Sequence, residues 1–274
     1  MIRYHVFDPT GNLTALVESP VPVSEQKAVA DTIMALRPSV EQVGFLTPPG
    51  PNSPGALRMA GGEFCGNASM SAAACFALEG WYGANAGPVF LTVSGADAPV
   101  EVRLSREEDR SSAAAVKMPP ARCVETRPLT CDGLSDELGV VTLPGISHIV
   151  IPEGSPFHAL LDEPRRAERV VRALCASLKA DCLGLMFLSG EGEERTLTPL
   201  VFVPGSGTLF WESSCASGSA AVGLYLAAER GGRVCLSLRQ RGGTLRVDSD
   251  GLTGETWLRG RTRLLGTYTL PDLA

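Results

Sequence analysis

Two short segments, GEFCGN at 62–67 and WESSCASG at 211–218, each place a cysteine at the head of a stretch rich in alanine, serine and glycine. The cysteines, Cys65 and Cys215, lie 150 residues apart, and a glutamate precedes each of them. Small residues allow a backbone to approach a ligand closely, and the first turn of a following helix presents unpaired N–H groups. The same helix end favours a thiolate, and so lowers the pKa of a thiol. We therefore expect each segment to bind a carboxylate and to supply a base or nucleophile near neutral pH.

This pair of thiols could invert the configuration of an amino acid. If the cysteines lie on opposite sides of a substrate Cα, one can remove its proton while the other returns a proton to the opposite face. That reaction is a racemisation that needs no cofactor. The alternative is that both cysteines are small apolar residues in tight helix packing, as buried free cysteines usually are. Only that packing role is expected for the other six: Cys75, Cys123, Cys131, Cys175, Cys182 and Cys235.

The composition excludes several other classes of function. The chain has 274 residues, a net charge of -6 and no run of lysine or arginine, so nucleic acid is not an expected partner. It lacks an apolar run of the about 18 residues that a membrane span needs, and its N-terminus lacks a signal-peptide layout, so we expect a cytoplasmic protein. With three histidines and no Cys-x-x-Cys motif, no metal site is expected.

Helical and strand-like patterns follow one another in the same order in both halves of the chain. Helical patterns cover about 25–36, 65–78, 163–179 and 215–229, and apolar β-prone segments separate them. In the first of them, the pattern predicts one apolar side made of Ala28, Ile33, Met34 and Leu36. The repetition predicts an α+β protein with two related halves, whose cysteines could converge on one cleft.

Six motifs occur in the order of a known enzyme family. They are Asp8-Pro-Thr-Gly-Asn12, Cys65-Gly-Asn67, Val116 to Pro119, Gly145 to His148, Cys215-Ala-Ser-Gly218 and Gly242-Gly-Thr-Leu-Arg-Val247. On these motifs the chain resembles, over essentially its whole length, the cofactor-independent racemases and epimerases of the diaminopimelate epimerase-like superfamily. The resemblance implies two pseudo-symmetric halves, each with a β-sheet or barrel wrapped around a central helix, and an active site in the cleft between them.

The boundary between the halves is expected near Met118-Pro119-Pro120, because proline cannot donate a hydrogen bond to a strand ladder. The predicted domains are an N-terminal half at 1–118 and a C-terminal half at 119–262. A last strand at about 263–274 is expected to complete the N-terminal half.

Within that superfamily the chain departs from diaminopimelate epimerase. The first cysteine motif of the epimerase usually ends in arginine, where this chain has Met70, and Leu209-Phe210-Trp211 cannot form a bidentate pair with a second carboxylate. Longer strings at 41–45, 62–71 and 211–215 are similar to histidine racemases that supply D-histidine for opine metallophores. The resemblance therefore implies conversion of L-histidine to D-histidine for such a pathway, without pyridoxal phosphate or another cofactor.

The resemblance also implies roles for individual residues. Cys65 and Cys215 would be the base and the acid and would exchange roles with the direction of the reaction. The substrate and its α-carboxylate would be held by Asn12, Gln42, Gly66, Asn67, Ala216, Ser217 and Gly218. His148 and Glu212 would be auxiliary groups that bind the α-ammonium and keep the thiols in opposite protonation states. Glu41 would bind the imidazole of the substrate.

Several alternatives stay open at this point. The chain could be a diaminopimelate epimerase or a racemase of another amino acid. It could also be a non-catalytic amino-acid-binding protein of the same fold, although a degenerate member would be expected to have lost at least one thiol. A related isomerase of the phenazine-biosynthesis type would use a carboxylate base and no cysteine pair. In each case the partner is a small molecule, and the sequence is compatible with a homodimer.

Overall fold

The computed structural model describes residues 1–82, 87–107, 109–205 and 207–270 of the chain. The chain divides into two compact units, one made of Met1–Lys117 together with the segment from Arg259 onward, the other of Met118–Leu258. Of the last strand expected at about 263–274, residues 271–274 lie outside the described residues. The fold is α+β, as predicted.

The first unit is a closed eight-stranded barrel. Its elements are β1 (Ile2–Pro9), β2 (Thr14–Val17), α1 (Val23–Leu36), β3 (Gln42–Thr47), β4 (Gly55–Met59), α2 (Gly66–Leu78), β5 (Val89–Val93), β6 (Val100–Arg106), β7 (Ser111–Lys117) and β16 (Thr256–Leu270). The strand order is β1-β2-β3-β4-β5-β6-β7-β16, and antiparallel pairing of β1 with β16 closes the circle. Closure leaves this sheet without an exposed edge.

The second unit has a mixed sheet of seven strands in the order β8-β9-β10-β11-β12-β14-β15, with β13 paired to β12. Its elements are β8 (Cys123–Cys131), β9 (Leu134–Leu143), β10 (Ile146–Pro152), a 3-10 helix (Pro156–Asp162), α3 (Pro164–Leu178), β11 (Leu183–Ser189), β12 (Glu194–Val203), β13 (Thr208–Trp211), α4 (Ala216–Arg230), β14 (Arg233–Gln240) and β15 (Gly243–Asp250).

The two units share their pattern of crossovers. In the first unit, α1 links the parallel pair β2 and β3, and α2 links the parallel pair β4 and β5. In the second unit, α3 links the parallel pair β10 and β11, and α4 links the parallel pair β12 and β14. Other neighbouring strands pair antiparallel, for example β3 with β4 in the first unit and β11 with β12 in the second. Each unit therefore contains two helices that connect parallel strands, and the repetition predicted from the sequence is present in the connectivity of the two units.

The helices that follow the two cysteines are the central helices of their units. Every residue of α2 from Gly66 to Phe76 is buried, and the helix contacts β1, β2, β5, β6 and β7. Helix α4 contacts β8, β9, β10, β11, β14 and β15. Strands cover most of each helix, so alanine, serine and glycine replace the polar stripe of a surface helix over the buried turns.

The other two α-helices cover the outside of the sheets. Helix α3 begins and ends within one residue of the predicted 163–179, and it buries Ala167, Val170, Val171, Leu174 and Cys175. In α1 the predicted apolar side was wrong in part: Ile33 is buried and Met34 packs against the buried core, but Ala28 is exposed. The buried residues are Gln26, Val29, Ala30 and Ile33, whereas Leu36 is 62% exposed. The four buried positions follow the i, i+3, i+4, i+7 spacing of one helix face. The four residues predicted from the sequence do not have that spacing.

No helix in the described part of the chain is long and apolar enough to cross a membrane.

Candidate active site

Cys65 caps the N-terminus of the central helix of the first unit. Its backbone is extended, with φ -135° and ψ 113°, and its sulfur accepts a hydrogen bond from the backbone N–H of Ala68 at 3.4 Å. The hydroxyl of Ser69 donates to the carbonyl oxygen of Cys65 at 2.8 Å. The thiol therefore occupies the position that a serine or aspartate oxygen takes in an ordinary N-cap.

Cys215 has the same local geometry in the second unit. It is the extended N-cap residue of α4, with φ -118° and ψ 108°, and its sulfur accepts from the backbone N–H of Gly218 at 3.3 Å. The hydroxyl of Ser219 donates to the Cys215 carbonyl oxygen at 2.6 Å. Each motif thus consists of a cysteine, an N–H donor three residues later and a serine four residues later. The repetition seen in the sequence has a counterpart in hydrogen bonding.

Gln42 is the side chain next to Cys65. The Cys65 thiol donates to Oε1 of Gln42 at 3.2 Å, and Nε2 of Gln42 donates to the hydroxyl of Thr14 at 2.7 Å. Thr14 is fully buried and faces Gln42 across the parallel pair β2 and β3. If the amide turned over, Nε2 could donate to a Cys65 thiolate, and the Thr14 hydroxyl, which now donates to the carbonyl oxygen of Asn12 at 3.0 Å, would turn to donate to Oε1. Gln42 can therefore satisfy either protonation state of the thiol.

The predicted ligands Asn12 and Glu41 contact each other. Nδ2 of Asn12 donates to a carboxylate oxygen of Glu41 at 3.2 Å. Asn12 is 7% exposed, whereas Glu41 is exposed to solvent. The backbone N–H of Glu41 donates to the carbonyl oxygen of Leu13, which ties the two segments together. Gly66 and Asn67 lie in the first turn of α2 and are buried.

The environment of Cys215 raises the pKa of its thiol well above the ordinary value. Burial is the main cause, and the charge of Glu212 and a hydrogen bond to its carboxylate raise the pKa further. Hydrogen bonds from Ser217 and from the Gly218 N–H act in the opposite direction. The helix end thus acts in the expected direction, but the expectation of a lowered pKa was wrong for Cys215. Loss of hydration and a neighbouring carboxylate outweigh the partial charge of the helix.

His148 reaches Cys215 through Ser217. The imidazole is fully buried on β10, and its Nε2 atom lies 3.0 Å from the hydroxyl oxygen of Ser217, which lies 3.6 Å from the sulfur of Cys215. Burial lowers the pKa of His148 to about 3, so the imidazole is neutral at physiological pH. Its Nδ1 atom has no hydrogen-bond partner among the described residues. A neutral histidine can accept a hydrogen bond from the serine hydroxyl or donate one to it, depending on its tautomer.

Two glycines provide the space that this arrangement requires. A Cβ atom at Gly184, which pairs with His148 across β10 and β11, would lie 2.3 Å from Nδ1 of His148. A Cβ atom at Gly218 would lie 2.1 Å from the sulfur of Met186 and 3.1 Å from that of Cys215. The Gly218 N–H, which was expected to bind a substrate carboxylate, is already bonded to the Cys215 sulfur.

Three functional neighbours were not found from the sequence. Thr14 holds Gln42, Gln240 accepts a hydrogen bond from the backbone N–H of Cys215 at 2.8 Å, and Met186 packs against Gly218. Only Gln240 carried a signal, because it stands just before the Gly-Gly motif at 242–243. Thr14 and Met186 are brought to the cysteines by strand pairing and helix packing, which a single sequence does not reveal.

One cluster of described residues has the chemistry of a metal site. The ligand atoms of His5, Glu18 and Glu79 lie within 4.8 Å of one another. The guanidinium of Arg3 already pairs with Glu18 at 2.5 Å and with Glu79 at 3.2 Å. The cluster is therefore a charge-compensated network, and a metal ion would have to displace the arginine.

The sequence matches a model of a known family over most of its length. Residues 1–257 match the family described as the histidine racemase CntK N-terminal domain. A histidine racemase of Staphylococcus aureus (strain Mu50) is 28% identical over 254 residues, which cover 91% of this chain and 89% of that protein. A histidine racemase of Fusobacterium nucleatum (strain ATCC 25586) is 27% identical over 230 residues, covering 80% of this chain and 78% of that protein.

Solved structures with the same fold include racemases, epimerases and other proteins. A probable proline racemase from Agrobacterium radiobacter superimposes with a TM-score of 0.72 at 13% identity, covering 100% of this chain and 94% of that one. A hydroxyproline epimerase from Agrobacterium vitis gives 0.68 at 14% identity, covering 97% and 91%. A phenazine biosynthesis protein of the PhzF family from Bacillus anthracis gives 0.67 at 10% identity, covering 98% and 99%. At these identities the likeness shows the fold alone.

The family match and its curated relatives settle the class of protein. The chain belongs to the histidine racemase family, and it is an amino-acid racemase, an isomerase.

Proposed function

We propose that this protein interconverts L-histidine and D-histidine by a two-thiol mechanism without a cofactor, and that the D-histidine serves opine metallophore biosynthesis. The observation that carries the mechanism is the matched geometry of Cys65 and Cys215, each the N-cap of a central helix. The substrate is proposed from the relatives, which are named histidine racemases and are 27–28% identical over most of the chain. The metallophore pathway is proposed from the sequence strings shared with that group.

The chemistry is a proton transfer on each face of the substrate Cα. One cysteine, as a thiolate, takes the Cα proton, and the electron pair of the broken C–H bond delocalises into the α-carboxylate. The other cysteine, as a thiol, gives its proton to the opposite face. The first cysteine ends as a thiol and the second as a thiolate, so charge and protons balance, and the reverse reaction starts from that state. The mechanism requires both thiols to reach one Cα.

The raised pKa of Cys215 assigns the starting protonation states in this proposal. Cys215 is the thiol of the ligand-free enzyme, because burial and the Glu212 carboxylate oppose its ionisation. The mechanism then requires Cys65 to be the thiolate of the pair, although in the structure its thiol donates to Oε1 of Gln42. When the α-ammonium of the substrate binds near Glu212, its positive charge offsets that of the carboxylate and eases ionisation of Cys215. This gives the predicted auxiliary role of Glu212 a physical basis.

The α-carboxylate has several donors available in this proposal. Asn12 and Asn67 are buried amides in the first unit, and the first turn of α4 presents the N–H of Ser217. Donors placed at a carboxylate lower the energy of the carbanion-like state, in which that group carries additional charge. The Gly218 N–H already points at the Cys215 sulfur. In this proposal it stabilises the thiolate form of Cys215 and does not bind the substrate carboxylate. Glu41 stays the proposed partner of the imidazole.

The test is a chiral assay on the wild-type enzyme and on four single variants. We expect Cys65→Ser and Cys215→Ser to lose racemisation by about 10²- to 10⁴-fold, because a hydroxyl is a much weaker acid than a thiol. Cys123→Ser and Cys235→Ser, at exposed free cysteines, are the matched controls and should keep the wild-type rate. In deuterium oxide the wild-type enzyme should incorporate deuterium at Cα. Full activity of a Cys65→Ser/Cys215→Ser double variant would exclude the mechanism.

The same assay decides between the substrates. Histidine, diaminopimelate, proline and lysine are incubated side by side, and both enantiomers are measured by chiral chromatography. Turnover of histidine above the others supports the proposal, whereas preferential turnover of another amino acid replaces the substrate. Binding of an amino acid without inversion of any of them would show a non-catalytic member of the fold.

We also propose the finer organisation expected from the sequence. The protein would have a diaminopimelate epimerase-like fold whose related halves are 1–118, completed by about 263–274, and 119–262. All eight cysteines are free thiols, which fits a reducing compartment, so the cytoplasm is the proposed location. Light scattering of the purified protein would test whether it forms a homodimer.

A further inference from the structure

The turn between β14 and β15 is bonded to the loop that leads into Cys215. The backbone N–H of Gly242 donates to the carbonyl oxygen of Ser213 at 2.8 Å. The guanidinium of Arg241 donates to the carbonyl oxygen of Trp211 at 3.2 Å and to the hydroxyl of Ser213 at 2.8 Å. These bonds connect the Gly-Gly motif at 242–243, to which the proposed chemistry gives no role, with the segment 211–213.

Gln240, the last residue of β14, reaches Cys215 itself. Its Oε1 atom accepts from the backbone N–H of Cys215 at 2.8 Å, and its Nε2 donates to the hydroxyl of Ser219 at 3.0 Å. That hydroxyl donates in turn to the carbonyl oxygen of Cys215 at 2.6 Å. Gln240 is 5% exposed and both of its polar atoms are used. One buried side chain therefore fixes the N–H of Cys215 directly and its C=O through Ser219.

The sequence of α4 explains why a side chain from another strand is needed. In a capping box, a glutamate or glutamine three residues after the N-cap bonds back to the N-cap N–H. That position is Gly218 here, which has no side chain and whose N–H points at the Cys215 sulfur. Gln240 supplies the missing acceptor from β14. The backbone torsions of Cys215, and so the direction of its Cα–Cβ bond, depend on this contact.

We propose that Gln240 is a positioning residue of the racemase, which holds the Cys215 backbone so that the sulfur points at the substrate Cα. The proposal rests on the two-thiol function proposed above. The hydrogen bonds of Gln240 go to the Cys215 N–H and to Ser219 and not to the sulfur, and in this proposal Gln240 does not bind the substrate. Its effect therefore falls on proton transfer more than on substrate binding, because small displacements of a reacting group are costly to rate.

Two substitutions separate positioning from simple stability. Gln240→Met keeps the length of the side chain but removes both hydrogen bonds, and we expect kcat to fall by about 10- to 100-fold with little change in KM. Gln240→Glu keeps an acceptor for the Cys215 N–H but adds a buried negative charge near the thiol. It should retain more activity than Gln240→Met at high pH, and its pH profile of kcat should move to higher pH. That shift follows from the added charge alone, so the positioning role is tested by the fall in kcat, at unchanged KM, of folded Gln240→Met, in which no charge changes. A purely structural residue would reduce the fraction of folded enzyme but not the kcat of the folded molecules.

The matched control is Arg239→Met, at the exposed neighbouring position of the same strand. Thermal unfolding by circular dichroism shows which variants fold. If Gln240→Met does not fold, Gln240→Glu tests the proposal. A folded Gln240→Met with the kcat of Arg239→Met, or a Gln240→Glu with the wild-type kcat at every pH, would overturn the positioning role.

Cys65→Ser and Cys215→Ser in the same assay keep the two proposals apart. If these variants racemise at the wild-type rate, the two-thiol function fails whatever Gln240 does. If they are inactive while the Gln240 variants are unaffected, only the positioning role fails.

Discussion

The Nε2 atom of His148 lies 3.0 Å from the hydroxyl oxygen of Ser217, and this contact joins a fully buried imidazole on β10 to the first turn of α4. The same hydroxyl lies 3.6 Å from the sulfur of Cys215. His148 was expected to be an auxiliary group that binds the α-ammonium of the substrate. We propose that His148 also acts through Ser217, whose hydroxyl lies between the imidazole and the thiol.

The first prediction concerns acid stability. Burial lowers the pKa of His148 to about 3, and an ordinary histidine titrates near 6.5. Between these values the unfolded chain binds a proton at this residue and the folded chain does not. The full stability is therefore present above pH 6.5 and decreases as the pH falls towards 3. Between pH 6.5 and 5.5 the loss is about 1.4 kcal/mol at most.

The measurement is the free energy of unfolding in urea at several pH values between 7.5 and 5.5. His148→Gln should lose less stability over this range than the wild type, because the substituted residue does not titrate. His158→Gln is the control, since the imidazole of His158 also lies 3.0 Å from a serine hydroxyl but is only partly buried. Equal slopes for His148→Gln and the wild type would contradict the prediction.

The second prediction concerns the hydroxyl of Ser217. Its hydrogen bond lowers the pKa of Cys215, against the larger effect of burial. Ser217→Ala removes that bond, so the Cys215 thiol should ionise at higher pH and react more slowly with iodoacetamide at pH 8. The rate is measured by mass spectrometry of the peptide that contains Cys215. Ser217→Thr retains the hydroxyl, so its Cys215 should be alkylated at the wild-type rate. If Cys215 is alkylated at that rate in Ser217→Ala as well, the hydrogen bond from Ser217 has no effect on the thiol.

The third prediction concerns the different partners of the two thiols. Cys215 has the carboxylate of Glu212 beside it, whereas Cys65 donates to the amide oxygen of Gln42. Glu212→Gln removes a negative charge and should lower the pKa of Cys215, so its alkylation becomes faster at pH 8. Gln42→Glu adds a carboxylate beside Cys65 and should slow the alkylation of that cysteine.

The alkylation experiment on Glu212→Gln and Gln42→Glu has an internal control in each variant. Cys123 is an exposed free cysteine, and its alkylation rate should be unchanged in both. If Glu212→Gln left the rate of Cys215 unchanged, the carboxylate would not govern its ionisation. Racemisation should fall in both variants, because the two thiols would then start from the wrong protonation states.

The sequence predicts the central helices better than the sheets around them. Small residues after Cys65 and Cys215 mark helices most of whose residues are buried, and both helices begin at the residue after the cysteine. Strands β8 and β9 were not predicted. β8 is mostly exposed, contains Pro128 and lies at the end of the strand order, so it lacks the apolar alternation that marks a half-buried strand.

The electrostatics of the site could not be predicted for a similar reason. A helix N-terminus is visible in the sequence, and its effect on a thiol can be stated in advance. The burial of Cys215, to 4% exposure, and the approach of Glu212 result from packing of the whole unit. Burial decides the sign of the pKa shift, and Glu212, only three residues before Cys215, adds to it.

The last prediction tests whether the position of His148 depends on Gly184. A methyl group at Gly184 would lie 2.3 Å from Nδ1 of His148 and 2.7 Å from the methyl carbon of Met186, so Gly184→Ala must displace one of them. Both side chains are fully buried, and overpacking of this kind costs about 1–3 kcal/mol of unfolding free energy. If the imidazole moves, its contact with Ser217 is lost and racemisation should fall as well.

Gly154→Ala is the matched control for Gly184→Ala, because a Cβ atom there would meet nothing within 4 Å. It should be neutral or slightly stabilising, since alanine restricts the unfolded chain. The informative comparison is between Gly184→Ala and the double variant Gly184→Ala/His148→Gln. If the glycine acts through the histidine, the double variant should be no less active than His148→Gln alone, because the imidazole that the methyl group displaces is already gone. Fully additive losses of activity would show that Gly184 and His148 affect the reaction independently, and the assigned role of the glycine would be wrong.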